Sequence, residues 1–336
     1  MRTYILYHMT ALAAGVLLDL AVGDPHWFPH PVRLIGSFIS LLEKKLFPDA
    51  GSGRGRDPAL EERRGRLLWL LVFLSVMAVC CAVAVSAYLI HPLAGAAAEA
   101  ALTCCLLAAR SLSDESGKVA RILDRGDLQG ARDALSMIVG RDTETLTSEE
   151  VIKAAVETVA ENTSDGVIAP FLYAAIGGPV LGFGYKAVNT MDSMLGYHNV
   201  RYEHFGRCAA RMDDIFSFVP ARISAVLMIL SAFLLGLFSK VYSGRHAYRI
   251  WKRDRRKHPS PNSAQTESAC AGALGLKLGG DHRYGGVLSK KPVIGDERRK
   301  PVSEDVARSA RLMFVSELLA VLLAGGVFAI LLCLSA

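Results

Sequence analysis

Between residues 157 and 222 the chain sets ionisable residues into an apolar background. Glu157, Glu161, Asp165, Asp192, Asp213 and Asp214 alternate there with Lys186, Arg201, Arg207, Arg211 and Arg222. If the segment ending at Glu161 is helical, Glu157 and Glu161 share a face. Like charges at that spacing cost about a few tenths of a kcal/mol unless a cation or donor lies between them. In G-Y-K-A-V-N-T-M-D-S-M, Lys186, Asn189 and Ser193 fall on one helical stripe with Asp192 beside it. In G-R-C-A-A-R-M-D-D, Arg207, Arg211 and Asp214 do the same. Cations and carboxylates on matching stripes suit a phosphate held with a divalent metal. They suit just as well a set of salt bridges that fastens a buried helical hairpin, and spacing alone leaves both readings open.

The elements that must position these residues belong to a membrane. Of 336 residues, 51% are hydrophobic and 21% charged, against roughly 25% charged in a soluble domain, and the mean hydropathy is +0.30. The apolar residues are clustered into runs. The net charge of +6 gathers in residues 44–66 and 240–257, and basic excess beside apolar runs is a topology signal. No zinc-finger spacing or RNA-binding signature occurs, so no nucleic-acid partner is expected. The seven cysteines include no C-x-x-C pair and lie mostly in apolar stretches, where Cys acts as a small hydrophobe. Only Arg2 precedes the first apolar run, and no small-residue cleavage site precedes Asp19, so the run reads as an uncleaved first span.

Residues 4–22, 67–90, 93–109, 221–238 and 312–334 read as spans of about the 20 residues a crossing needs. An ionised Asp19 at mid-bilayer would cost roughly 2.5–3.5 kcal/mol, which places it at an interface or in a polar cavity. G-D-P-H-W-F-P-H-P-V-R-L-I-G follows, with Pro31 suited to a first helical position. Its His26 and His30 read as structural loop residues rather than metal ligands. Residues 34–46 form an amphipathic, interfacial helix, and residues 47–66 a flexible linker. Residues 110–151 read as a soluble helical insertion, with Thr147 or Ser148 as a helix cap. Residues 167–182 are short and glycine-interrupted, which suggests a re-entrant segment. Residues 259–299 are Gly/Ser-rich, and their A-G-A-L-G-L-K-L-G-G is neither a Walker loop nor a dinucleotide fingerprint. The expected fold is therefore all-α: one polytopic integral membrane helical bundle over residues 1–336, with a cytoplasmic helical insertion and interfacial or re-entrant segments. The Lys/Arg excess puts residues 23–66 in the cytoplasm. A cytoplasmic basic run after residue 238 then requires either that 167–182 crosses or that 221–238 does not.

A-E-N-T-S-D-G-V-I-A-P, Y-K-A-V-N-T-M-D-S-M-L-G-Y, F-G-R-C-A-A-R-M-D-D and V-P-A-R-I resemble segments of the CobD/CbiB family of cobalamin biosynthesis. G-D-P-H-W-F-P-H-P-V-R-L-I-G and S-P-N-S-A-Q-T-E-S-A-C-A-G-A-L-G-L-K-L-G-G resemble it too, in the same order, so the likeness covers residues 19–295. It implies an adenosylcobinamide-phosphate synthase in the cell membrane. Such an enzyme joins (R)-1-amino-2-propanol, or its phosphate, to the free side-chain carboxylate of adenosylcobyric acid. It implies ATP and Mg²⁺, with the carboxylate activated as an acyl phosphate, and an active site on the cytoplasmic side. The partners implied are those two substrates, membrane lipid and other membrane enzymes of the corrinoid pathway.

Carried over by motif, the resemblance implies Glu161, Asp165, Lys186 and Asp192 as catalytic residues. Arg33, Asn162, Asn189, Arg207, Arg211 and Arg222 would hold substrate and phosphate, and Asp19, Asp24, Asp192, Asp213 and Asp214 would hold metal. The chain departs from the family pattern at His198, where Lys or Arg is frequent, at Ser217, where Asn is common, and at Ala264 and Cys270. None of these removes a carboxylate. Two other classes are weighed against this reading. A membrane sensor of the AmpE type lacks most of these motifs, and a corrinoid transporter would be expected to show paired repeats, which are absent here.

Overall fold

The computed structural model describes residues 2–24, 27, 29–47, 57–197, 199–284 and 286–334. In chain order its helices are α1 (Arg2–Val22), α2 (Pro31–Leu46), α3 (Pro58–Ile90), α4 (Pro92–Leu106), α5 (Ala109–Asp124), α6 (Leu128–Ser136) and α7 (Ser148–Asn162). A π-helical turn, Thr163–Ile168, leads into α8 (Ala169–Leu195), α9 (Arg207–Phe216), α10 (Phe218–Gly236), α11 (Gly244–Asp254) and α12 (Ser263–Leu274). Four short strands, β1 (Lys277–Gly279), β2 (His282–Tyr284), β3 (Val287–Ser289) and β4 (Val293–Gly295), precede α13 (Glu304–Leu334). They pair antiparallel as β1–β4 and β2–β3. Among the described residues six helical stretches are long and apolar enough to cross a membrane: Arg2–Val22, Pro58–Ile90, Pro92–Asp124, Ser148–Leu195, Phe218–Gly236 and Glu304–Leu334. The protein is an all-α polytopic membrane protein.

Helix starts follow from local chemistry. Pro31, Pro58 and Pro92 each sit in a first turn, where the missing N–H costs nothing. The residue before each proline caps the helix. His30 Nδ1 accepts the Val32 N–H at 3.3 Å, Asp57 Oδ1 the Ala59 N–H at 3.0 Å, and His91 Nδ1 the Leu93 N–H at 3.2 Å. The cap at Asp57 corrects the linker expected over residues 47–66. From Pro58 onward the chain is already helix, because A-L-E-E-R-R is built of strong helix formers. Residues 48–56 lie outside the described residues. Thr147 opens α7 through a reciprocal capping box with Glu150.

The chain divides into two compact units. The first comprises Met1–Ala108, Ala169–Ser217 and Ala324–Ala336. Its core is formed by Leu12, Ile39, Leu68, Val72, Phe183 and Met191, all buried. Gly15 lets α1 approach α4: a Cβ there would lie 2.5 Å from the Thr103 Cβ. Within this unit α8 is not a straight rod. Gly177 and Gly178 leave helical geometry, Gly178 with φ +63° and ψ −164°, and Pro179 follows. The rings of Tyr173 and Tyr185 then stack 5.1 Å apart. Residues 167–182 thus contain a sharp reversal at Gly177–Gly178.

The second unit comprises Ala109–Ile168 and Phe218–Leu323. The stretch 110–151, expected as an insertion, forms α5, α6 and the start of α7. Its Val119, Leu135 and Val151 share a core with Ala155, Leu274 and Leu312. α12 has no exposed face at all. It packs on α11 so closely that a Cβ on Gly272 would sit 2.7 Å from both the Ala247 Cα and the His246 carbonyl oxygen.

Candidate functional site

The first unit gathers an acid pair between α8 and α9. Asn189 lies on the returning arm of α8, and its Nδ2 donates to Asp213 Oδ1 at 3.3 Å. Ser217 Oγ donates to Asp213 Oδ2 at 3.4 Å and lies 3.3 Å from the Tyr185 hydroxyl. Asp213 is 8% exposed. Burial, then the charge of Asp192, pushes its carboxyl from 3.8 up to about 7. Asp214 adds to the rise, and the hydrogen bonds from Asn189 and Ser217 oppose it. Asp192 and Asp213 are therefore a repelling pair that a cation would relieve. Among the described residues no three His, Cys, Asp or Glu side chains converge on one point. Mg²⁺ takes one or two carboxylates and completes its shell with water and substrate phosphate, so the pair fits it without an all-protein cage.

The second unit holds a partly open cavity of about 140 Å³ lined by Arg141, Glu157, Glu161, Asn162, Glu267 and Lys291, with His258 beside them. Glu157 is fully engaged: Arg141 Nη1 lies 2.8 Å from Oε2, and the Gly279 N–H donates to Oε1 at 2.7 Å. Asn162 Nδ2 donates to the Thr158 carbonyl at 3.0 Å. Burial, followed by the charges of Glu161 and Glu157, holds the Glu267 carboxyl well above the usual carboxylate range. Asp165 sits on the π-helical turn that follows α7, a distortion frequent at functional sites.

The remaining residues inferred from sequence are dispersed. Asp19 is fully buried in α1. Asp24 lies 2.9 Å from His30 Nε2, in keeping with a structural His30, while His26 and His198 are outside the described residues. The five carboxylates assigned to metal thus do not form one group. Arg207, read as a substrate cation, pairs with Glu62 of α3. Arg222 donates from Nη1 to the Asn262 side chain at 3.1 Å and to the Phe218 carbonyl at 2.5 Å. Arg33 is exposed on α2, and Lys186 lies on the arm of α8 that carries Asn189.

The family described as CobD/Cbib protein matches residues 12–313. The chain belongs to the CobD/Cbib family. It is 52% identical over 312 residues to the cobalamin biosynthesis protein CobD of Geobacter metallireducens, covering 92% of this chain and 93% of that one. The protein of the same name from Pelobacter propionicus is 48% identical over 309 residues, with 92% of each chain covered. That of Clostridium perfringens is 42% identical over 308 residues, covering 91% of this chain and 93% of the relative. No solved structure matches the chain.

In this CobD/Cbib chain several cavity and pair residues escape sequence reasoning. Arg141, His258 and Lys291 lie far from the motif-rich stretch. Tyr185 carries no charge to draw notice, and Ser217 stood out only as a departure from the family pattern, not as a partner of Asp213. Glu267 had a signal: it is the one charged residue in S-A-Q-T-E-S-A-C-A-G-A-L, a run otherwise of small and neutral residues.

Proposed function

We propose that the protein acts in cobalamin biosynthesis, forming the amide between the free side-chain carboxylate of adenosylcobyric acid and the amine of (R)-1-amino-2-propanol or its phosphate. ATP supplies the energy, so that carboxylate, amine and ATP give amide, ADP and phosphate. The observation that carries this reading is the Asp192–Asp213 pair, held by Asn189 and Ser217, on a chain that belongs to the CobD/Cbib family. Asp192 and Asp213 would hold Mg²⁺, which when bound neutralises phosphate charge. Asn189 fixes one oxygen of Asp213 and Ser217 the other, so the carboxylate's direction is set before substrate arrives. Asp213 is buried and Asp192 half-buried, which limits screening by water on the Asp213 side. Lys186 and Arg211 are the cations we assign to the transferred phosphoryl group.

A cytoplasmic site is supported by the Arg207–Glu62 ion pair, which ties the start of α9 to the basic start of α3. Lys/Arg-rich flanks of spans stay in the cytoplasm. The test is product formation. Membranes containing the protein, given adenosylcobyric acid, 1-amino-2-propanol or its phosphate, ATP and Mg²⁺, should yield adenosylcobinamide or its phosphate by mass spectrometry. Corrinoid recovered unchanged under all these conditions would overturn the reading.

A further inference from the structure

The cavity of the second unit holds a buried acid that the acid pair of the first unit does not explain. Glu267 is 7% exposed and lines that cavity. Among the described residues its carboxylate makes no direct hydrogen bond or ion pair; Lys291 and Arg141 of the same cavity favour its ionised form through space, but burial, Glu161 and Glu157 outweigh them. A buried carboxyl in that state resists ionising until a cation arrives to pair with it. A purely structural glutamate would be expected to sit as Glu157 does, with Arg141 on one oxygen and a backbone N–H on the other. Glu161 lies on the same cavity wall, one helical turn from Glu157, and its charge further disfavours ionisation of Glu267. Glu157, Glu161 and Glu267 outnumber the cavity's two cations, Arg141 and Lys291, and Arg141 is held by Glu157, so the spot favours a further cation.

Its size and ligand chemistry narrow the choice. At about 140 Å³ the cavity is well below the roughly 300 Å³ where drug-sized sites begin, so a corrin is excluded and a molecule of a few carbons is not. A primary ammonium offers three N–H donors. Glu267 and Glu161 supply acceptors. So does the carbonyl oxygen of Asn162, whose Nδ2 is spent on Thr158.

We propose that this cavity binds the ammonium group of the small amine substrate, with Glu267, Glu161 and Asn162 as its acceptors. Naming that amine as the one consumed rests on the amide-forming reading above, but the binding site itself can be tested without turnover. Calorimetry on the full chain in lipid nanodiscs, with 1-amino-2-propanol as probe and neither corrinoid nor nucleotide present, should show saturable binding. Glu267→Gln should weaken it by at least about tenfold, the loss of one charge-assisted contact, and Mg²⁺ alone should not compete.

If the amine binds in this way while no corrin amide ever forms, the ligase reading falls and the amine site stands. If wild type shows no saturable binding, whether or not amide forms, the site is wrong. It is also wrong if Glu267→Gln binds as tightly as wild type, or if Mg²⁺ displaces the amine. Should Glu267→Gln fail to insert, the native protein decides. 1-amino-2-propanol should protect Glu267 from dicyclohexylcarbodiimide, read by peptide mass, and unchanged labelling would overturn the proposal.

Discussion

Tyr173 and Tyr185 stack with ring centroids 5.1 Å apart and planes 13° from parallel. On one continuous helix twelve positions would separate them by about 18 Å. The contact exists because the chain reverses at Gly177–Gly178, and the reversal brings the arm carrying Lys186, Asn189 and Asp192 beside α9. The same two rings reach the end of α9: Tyr173 donates to the Phe216 carbonyl at 2.9 Å, and the Tyr185 hydroxyl lies 3.3 Å from Ser217 Oγ.

Gly178, at φ +63° and ψ −164°, occupies backbone space that is essentially glycine's alone. Gly178→Ala should destabilise the protein by about 1–3 kcal/mol. Thermal unfolding in detergent, followed by size-exclusion chromatography, should show a clearly lower midpoint. A midpoint equal to wild type would mean that the turn is not held in this conformation.

Arg207 pairs with Glu62 across a partly exposed surface. Such pairs contribute about 0.2–1 kcal/mol. If the pair only fastens α9 to α3, Glu62→Ala and Arg207→Ala should lower stability alike and leave KM for substrates unchanged. A raised KM in Arg207→Ala alone would restore Arg207 as a substrate cation.

Asp254 gives an acid-stability prediction. Burial alone would raise its carboxyl, but Arg253, Lys257 and the Gly295 N–H outweigh it and lower it from 3.8 to about 2. A carboxyl whose folded-state value is depressed contributes stability above its ordinary value and loses it as pH falls. The contribution should be complete above about pH 4 and drain away towards pH 2. Unfolding midpoints measured across that window should fall steeply for wild type and less steeply for Asp254→Asn. Parallel curves would contradict the pairing.

Asp213 behaves in the opposite sense, since burial and Asp192 raise it to about 7. Mg²⁺ binding, which needs the ionised carboxylate, should therefore strengthen as pH climbs through about 7. Asp213→Asn should cost roughly 10²–10⁴-fold in turnover with normal membrane insertion. Asp192→Asn should be comparably slow, and its residual activity should titrate at lower pH because the neighbouring charge is gone. Near-normal turnover in both variants would remove these carboxylates from the chemistry.

What could be read from sequence was local. The prolines at 31 and 92 and the Thr147–Glu150 box mark helix starts within a few residues and Gly177–Gly178 signals a broken segment, whereas the start at Pro58 was hidden in a charged stretch that read as linker. The stripes of Lys186, Asn189 and Ser193 and of Arg207, Arg211 and Asp214 place charges on faces but not their partners. Arg207 read as a substrate cation because Glu62, 145 residues away in sequence, shows no sign of meeting it. α12 was hidden by its own packing: a helix buried on all sides and rich in Ser and Ala has no solvent-facing stripe and hence no periodicity. The neighbourhood of Glu267 was equally hidden, since Glu157 and Glu161 reach it only through tertiary folding.

The most direct test of the central claim is the stoichiometry of the purified protein in nanodiscs. Adenosylcobyric acid, 1-amino-2-propanol phosphate, ATP and Mg²⁺ should give one adenosylcobinamide phosphate for each ATP consumed, and omission of the amine should stop corrinoid conversion. Corrinoid recovered chemically unchanged, or amide that forms with no nucleotide consumed, would contradict the account.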